Sequence, residues 1–156
     1  MCLTCSRTSV LVNGSPTREF DLKSSLRQGD PLSPFLFLII MQGLHLDIKK
    51  AVELNVIKGV NVGVDNINIS HLFYADDALI VSEWDRDEMD NIKRIFNIFF
   101  LASGLKINIS KSNVYGINVS DQEMTDMANH SGCSPGTFPF TYLGLLVGFN
   151  MNLIKN

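Results

Sequence analysis

Apolar and polar positions fall into short alternating runs and longer helical stripes, and their order along the chain predicts the elements. Residues 9–13 and 17–22 are strand-prone, and Asn13-Gly14 between them is the strongest short hairpin signal, so a β-hairpin is expected at the entrance. After a loop over 23–31, Ser33 can cap a helix and Pro34 opens its first turn, where a missing N–H costs nothing. That helix is expected to run to about Leu54. Residues 35–40 are apolar on nearly every side, and the pattern then turns amphipathic through Leu44, Ile48 and Val52, which predicts a deeply buried first half.

Strands are expected over 59–64 and 67–74, joined at Asp65-Asn66, and a third over 79–82 follows a polar break at Asp76-Asp77. These make two consecutive hairpins. Asp85 with Glu88 forms a capping pair, and Met89, Ile92, Ile95, Phe96 and Phe99 recur at helical spacing until Gly104 stops the helix. Short strands over 106–109 and 114–117 come next. Ser120 with Glu123 caps a short helix ending near Gly132, and 142–147 reads as a last strand. Antiparallel hairpins with helices between them predict an α+β fold in one domain over 1–156, an antiparallel sheet with helices packed on one face.

Composition narrows the function classes. The chain has 156 residues, 46% of them hydrophobic and 19% charged, enough for a real core. A formal net charge of -3 argues against a free-standing nucleic-acid binder held by bulk positive charge. Three cysteines build no disulfide framework, and the start of the chain lacks the apolar core of a signal peptide, so an intracellular setting, nucleus or cytoplasm, is expected. The longest apolar run, 35–41, is far short of the ~18 residues of a membrane span. Cys2 and Cys5 form a single C-x-x-C pair, and Cys133 with His45, His71 and His130 shows no zinc-like spacing.

Charge is unevenly spread. Asp76, Asp77, Glu83, Asp85, Asp87, Glu88 and Asp90 stand against Arg86 alone, a local net of −6, whereas 91–120 holds Lys93, Arg94, Lys106 and Lys111 and no acid. Acids in the first turn of a helix favour its positive end, which accounts for 85–90. Asp76 and Asp77 lie instead between the apolar runs 72–74 and 78–81. Two readings fit them: an ordinary turn, where aspartate is common, or a cation site, since hard oxygen ligands at a rigid hairpin tip suit Mg2+.

Their company bears on that choice. Leu26-Arg27-Gln28-Gly29-Asp30-Pro31-Leu32-Ser33-Pro34-Phe35 precedes the apolar helix, and Phe73-Tyr74-Ala75-Asp76-Asp77 follows at a hairpin. Ser103-Gly104-Leu105-Lys106-Ile107-Asn108 with Ser110-Lys111-Ser112 comes next, and Phe140-Thr141-Tyr142-Leu143-Gly144 last. In this order, over about residues 10–148, they resemble the palm of a reverse transcriptase, most closely that of the plant branch of non-LTR (LINE-type) retrotransposons.

The resemblance implies an RNA-directed DNA polymerase that adds deoxynucleotides to a primer 3′-hydroxyl on an RNA template, with Mg2+ as cofactor and Mn2+ as an alternative. Asp76 and Asp77 would be the catalytic metal ligands, Asp76 favoured as the direct one. Tyr74 and Ala75 would lie beside the incoming nucleotide or primer end. Arg27, Gln28 and Gly29 would line the nucleotide and template pocket, Lys111 would meet the triphosphate, and Tyr142, Leu143 and Gly144 would form the primer grip. His45, His71 and His130 receive no role.

The same resemblance calls for a third aspartate on a strand upstream of Gln28, for nucleotide-gripping fingers and for a helical thumb. None has a counterpart here: Glu19 and Asp21 are the only acids before Asp30, and both sit in the entrance hairpin. Ser25 also stands where relatives usually carry glycine. The isolated chain is therefore expected not to polymerise and to bind nucleic acid weakly or not at all. The competing readings are a non-catalytic retrotransposon remnant or interaction module, made sticky by apolar surface that fingers and thumb would cover, and a nucleotide cyclase of palm type, against which the Gln28–Pro34 and Lys111 segments speak.

Overall fold

The computed structural model describes residues 7–21 and 31–148. Within them the chain is mixed α+β. Helix α1 (Ser33–Glu53) has Pro34 in its first turn as expected, but Leu32 rather than Ser33 occupies the N-cap position. Helix α2 (Arg86–Ser103) is capped by Asp85, whose carboxylate accepts the N–H groups of Asp87 at 2.8 Å and Glu88 at 3.1 Å. It stops where Gly104 turns to φ 75°, a left-handed conformation that costs glycine nothing and any residue with a Cβ about 1 kcal/mol. Asp85→Ala is expected to cost about 1 kcal/mol while Asp85→Asn keeps most of the cap. Urea midpoints that fail to separate the two variants would refute that assignment.

Helix α3 (Asp121–Ser131) carries the expected capping box between Ser120 and Glu123 and ends at Gly132. It is tied to α2 by His130, whose Nε2 lies 2.9 Å from Asp90, and by Lys93, which donates to the His130 carbonyl at 3.0 Å. Burial pushes the Asp90 carboxyl up, but His130 and Lys93 outweigh it and hold the group below the usual carboxylate range.

The core lies between the C-terminal half of α1 and α2. Leu44, Ile48 and Ala51, spaced one helical turn apart, meet Ile92 and Phe99 of α2 and Ile57 from the connecting segment. Residues 35–40 do not have the deep burial that their composition suggests. Phe35, Leu38 and Ile39 are 64%, 62% and 68% exposed, because α2 crosses only the later turns of α1 and no described element covers the first ones. Glu88 also departs from its expected part in a capping pair. Its carboxylate is buried and accepts the Lys58 N–H at 3.1 Å instead, fastening the segment after α1 to the start of α2.

The strands form six two-stranded sheets among the described residues, where a continuous sheet was expected. β1 (Arg7–Thr8) pairs with β4 (Phe20–Asp21), and β2 (Leu11–Val12) with β3 (Ser15–Pro16) across the predicted Asn13-Gly14 turn. The two consecutive hairpins also form. β5 (Val60–Val62) pairs with β6 (Ile67–Ile69), and β7 (His71–Tyr74) with β8 (Asp77–Ile80). The run 67–74 is thus two strands broken at Ser70, and the third strand begins at Asp77 rather than 79. Residues 106–109 keep an alternating pattern but pair with no strand among the described residues, and the segment turns at Asn108 into a 3₁₀ turn over Ile109–Lys111. Of 114–117 only β9 (Asn113–Val114) is strand, and it runs parallel to β10 (Ser134–Pro135). The segment 142–147 bends at Leu143-Gly144 into a hairpin of β11 (Phe140–Tyr142) and β12 (Leu145–Val147). Among the described residues no helix is long and apolar enough to cross a membrane.

Candidate active site

The β7–β8 hairpin places its two acids by register. Tyr74 pairs with Asp77, so Ala75 and Asp76 alone make the connecting loop. Tight connections of this length demand a positive φ, and Ala75 supplies it at φ 50°, a conformation that costs a residue with a Cβ roughly 1 kcal/mol. Phe73, next to the closing pair, and Ile80, at the base, pack against the core, while Tyr74, Ala75, Asp76 and Asp77 all stand exposed at the end of the hairpin. The result is a short stalk with two adjacent carboxylates at the tip.

One of the other predicted regions is brought alongside. The Tyr142 hydroxyl, in β11, donates to the Leu72 carbonyl of β7 at 3.4 Å, the weak end of the hydrogen-bond range. Burial raises the Tyr142 hydroxyl above its ordinary value, and the negative charge of Asp77 raises it further, so it stays a neutral donor beside the acidic tip. Leu143 and Gly144 form the exposed turn beyond it, at φ 52° and 79°. β11 is itself held by stacking of Phe140 on Tyr115, with centroids 3.9 Å apart and planes 21° from parallel. Gly136 makes room for that ring, since a Cβ there would meet Tyr115 at 2.3 Å.

Lys111 is exposed at the end of the 3₁₀ turn, and no hydrogen bond or ion pair joins its side chain to the tip. Arg27, Gln28 and Gly29 lie outside the described residues. Two carboxylates supply hard oxygen donors for a divalent cation, but no group of three His, Cys, Asp or Glu side chains that could hold a metal ion forms among the described residues. The donor set at the tip therefore fits part of a divalent-cation shell.

Sequence reasoning left His45 and His71 without a role, yet their rings meet: His45 Nδ1 lies 2.7 Å from His71 Nε2. The two lie 26 residues apart on different elements, and the local pattern of 67–74 does not single them out.

Comparison with known proteins bears on this arrangement. A family model described as reverse transcriptase (RNA-dependent DNA polymerase) matches residues 2–147. An uncharacterized mitochondrial protein of Arabidopsis thaliana is 33% identical over 109 residues, which cover 67% of this chain and 85% of that protein. A retrovirus-related Pol polyprotein from the type-1 retrotransposable element R2 of Popillia japonica is 31% identical over 139 residues, 88% of this chain but 17% of the polyprotein. A second R2 polyprotein from the same beetle is 27% identical over 151 residues and is covered to 24% of its length.

Proposed function

The chain belongs to the reverse transcriptase (RNA-dependent DNA polymerase) family, and from that membership we propose that it is the palm region of a polymerase of non-LTR retrotransposon type. The observation that carries this reading is the tight β7–β8 tip, which presents Asp76 and Asp77 with the Tyr142 hairpin at its side. The substrates are an RNA template, a DNA primer and deoxynucleoside triphosphates.

In this reading Asp76, in the loop, and Asp77, at the first ladder position, hold the cation. Mg2+ or Mn2+ bound there supplies activation of the primer hydroxyl and neutralisation of charge on the phosphates. The protein's own part is positional. The paired stalk holds the carboxylates, Tyr74 and Ala75 flank the site for nucleotide and primer end, and the Tyr142-Leu143-Gly144 turn steadies the primer. Arg27, Gln28 and Gly29 precede α1 and line the nucleotide and template pocket, with Lys111 on the triphosphate. A palm-type sheet would be completed along the outer edge of β8, which pairs with no described strand. A strand there is the place for the third carboxylate that two cations require.

Mn2+ titration followed by amide NMR tests the cation site on the chain itself. Paramagnetic broadening is expected first at residues 74–77 and should vanish in Asp76→Asn/Asp77→Asn. Broadening centred on the acid-rich stretch 83–90, with the tip untouched, would defeat the assignment.

A further inference from the structure

His45 and His71 come from different elements and meet at the edge of the core. His45 follows the fully buried Leu44 on α1, and His71 opens β7; both rings are half-buried. Their centroids are 4.9 Å apart with planes tilted by 56°, and His71 lies equally close to the ring of Phe73. His71 Nδ1 is 2.9 Å from the hydroxyl of buried Ser70, so both nitrogens of His71 are engaged. The pair sits in a groove of about 780 Å³ between α1 and the strands β6 and β7.

We propose that His45 and His71 form a proton-operated latch, which holds β7 on α1 while one hydrogen lies between the rings and lets go when both rings are protonated. At 2.7 Å only one hydrogen fits between His45 Nδ1 and His71 Nε2. Either ring can donate it, with the Ser70 hydroxyl taking the complementary role on His71 Nδ1. Two imidazolium rings would set two hydrogens and two positive charges face to face, so the closed contact excludes the doubly protonated state.

The surroundings give a second proton no help. The other charged groups lining the groove are Lys49 and Glu53, both on α1, and Glu53 is already paired with Lys50 at 3.1 Å. Asn68, Ile69, Ser70, Leu72 and Phe73, from the strand side, bring no charge. Burial and the charge of His45 hold His71 below the ordinary histidine range. The open state takes up protons near the ordinary value of about 6.5 and the closed state only at lower pH. Closure is therefore fully favoured above about pH 6.5, and the opening constant rises by up to about tenfold per pH unit as pH falls from there toward the closed-state value. β7 ends at Tyr74 and leads directly into Ala75 and Asp76, so the latch sets how firmly the acidic tip is seated on α1. The latch stands whether or not the chain belongs to a working polymerase.

Imidazole 15N NMR and amide hydrogen exchange, between about pH 7.5 and 5.5, test it on the full chain and on His45→Phe and His71→Phe. In the unsubstituted chain one of the two rings should resist protonation well below the ordinary value. Protection of the β7 amides, corrected for intrinsic exchange, should fall with acid by up to about tenfold per pH unit. Both phenylalanine variants should lose that dependence, while the His130–Asp90 contact, present in all three proteins, cancels. Two rings titrating independently at ordinary values, or equal acid dependence in the variants, would overturn the latch. Should a variant not fold, the ring titration of the unsubstituted chain decides alone.

Discussion

Leu44→Ala is expected to destabilise the helical core by about 3–4 kcal/mol. Leu44 has no solvent exposure and belongs to the cluster with Ile48, Ala51, Ile57, Ile92 and Phe99. Truncation loses the transfer energy of the removed carbons and leaves a cavity that residues anchored on two crossing helices cannot readily fill. The figure lies near the middle of the range for such changes. Against a total of about 5–15 kcal/mol for an ordinary domain, this is a large share. Leu46, on the same helix but 54% exposed, provides the control: Leu46→Ala should change stability by no more than about 0.5 kcal/mol. Urea unfolding followed by helical circular dichroism compares them, and a difference below about 1 kcal/mol would mean that the core is not centred on Leu44.

The second large effect concerns catalysis. By itself the chain should give no template-dependent primer extension. In a polypeptide that joins it to a strand supplying the third carboxylate, Asp76→Ala is expected to lower extension by on the order of a thousandfold or more. Loss of a single preorganised group facing developing charge already costs about 10²–10³, and a carboxylate that holds the cation contributes at least as much. Asp77→Asn should also lower extension steeply, though by less than Asp76→Ala, since Asp76 is the favoured direct ligand and asparagine keeps one oxygen donor at the ladder position opposite Tyr74. Primer extension on RNA with Mg2+ or Mn2+ measures both. Activity above a tenth of the parent in Asp76→Ala would remove Asp76 from the metal site, and extension by the chain alone that Asp76→Ala abolishes would remove the need for a third acid.

Features decided within a few residues were legible in the sequence. Asp85, the Ser120–Glu123 box, Gly104 and Gly132 mark helix ends through hydrogen bonds to their own neighbours, and the structure places all of them as read. Asn13-Gly14 likewise carries its turn in its own backbone preferences. What depended on distant partners was not legible. Alternation at 106–109 resembles a strand, but a strand also needs a neighbour. The apolar start of α1 announces burial without saying what covers it. Glu88 is three residues from Asp85 as a capping pair requires, yet the Lys58 N–H, 30 residues away, takes its carboxylate. At the candidate site, the motif at 73–77 showed which acids to examine. The contact between Tyr142 and Leu72, across 70 residues, and the meeting of His45 with His71 arise only in the fold.

The division of the strands into six separate ribbons among the described residues has a consequence for cooperativity. A two-stranded ribbon is marginal on its own and borrows its order from whatever it rests on. The β7–β8 ribbon rests on the helical core through Phe73 and Ile80 and shares its fate. The β2–β3 ribbon, with Leu11 71% exposed and Val12 54%, has no such support among the described residues. The chain should therefore melt in pieces, with the outer ribbons opening at little free-energy cost while the α1–α2 pair and the acidic stalk remain. A single unfolding free energy would describe the helical core and the stalk, and the entrance ribbon would need one of its own.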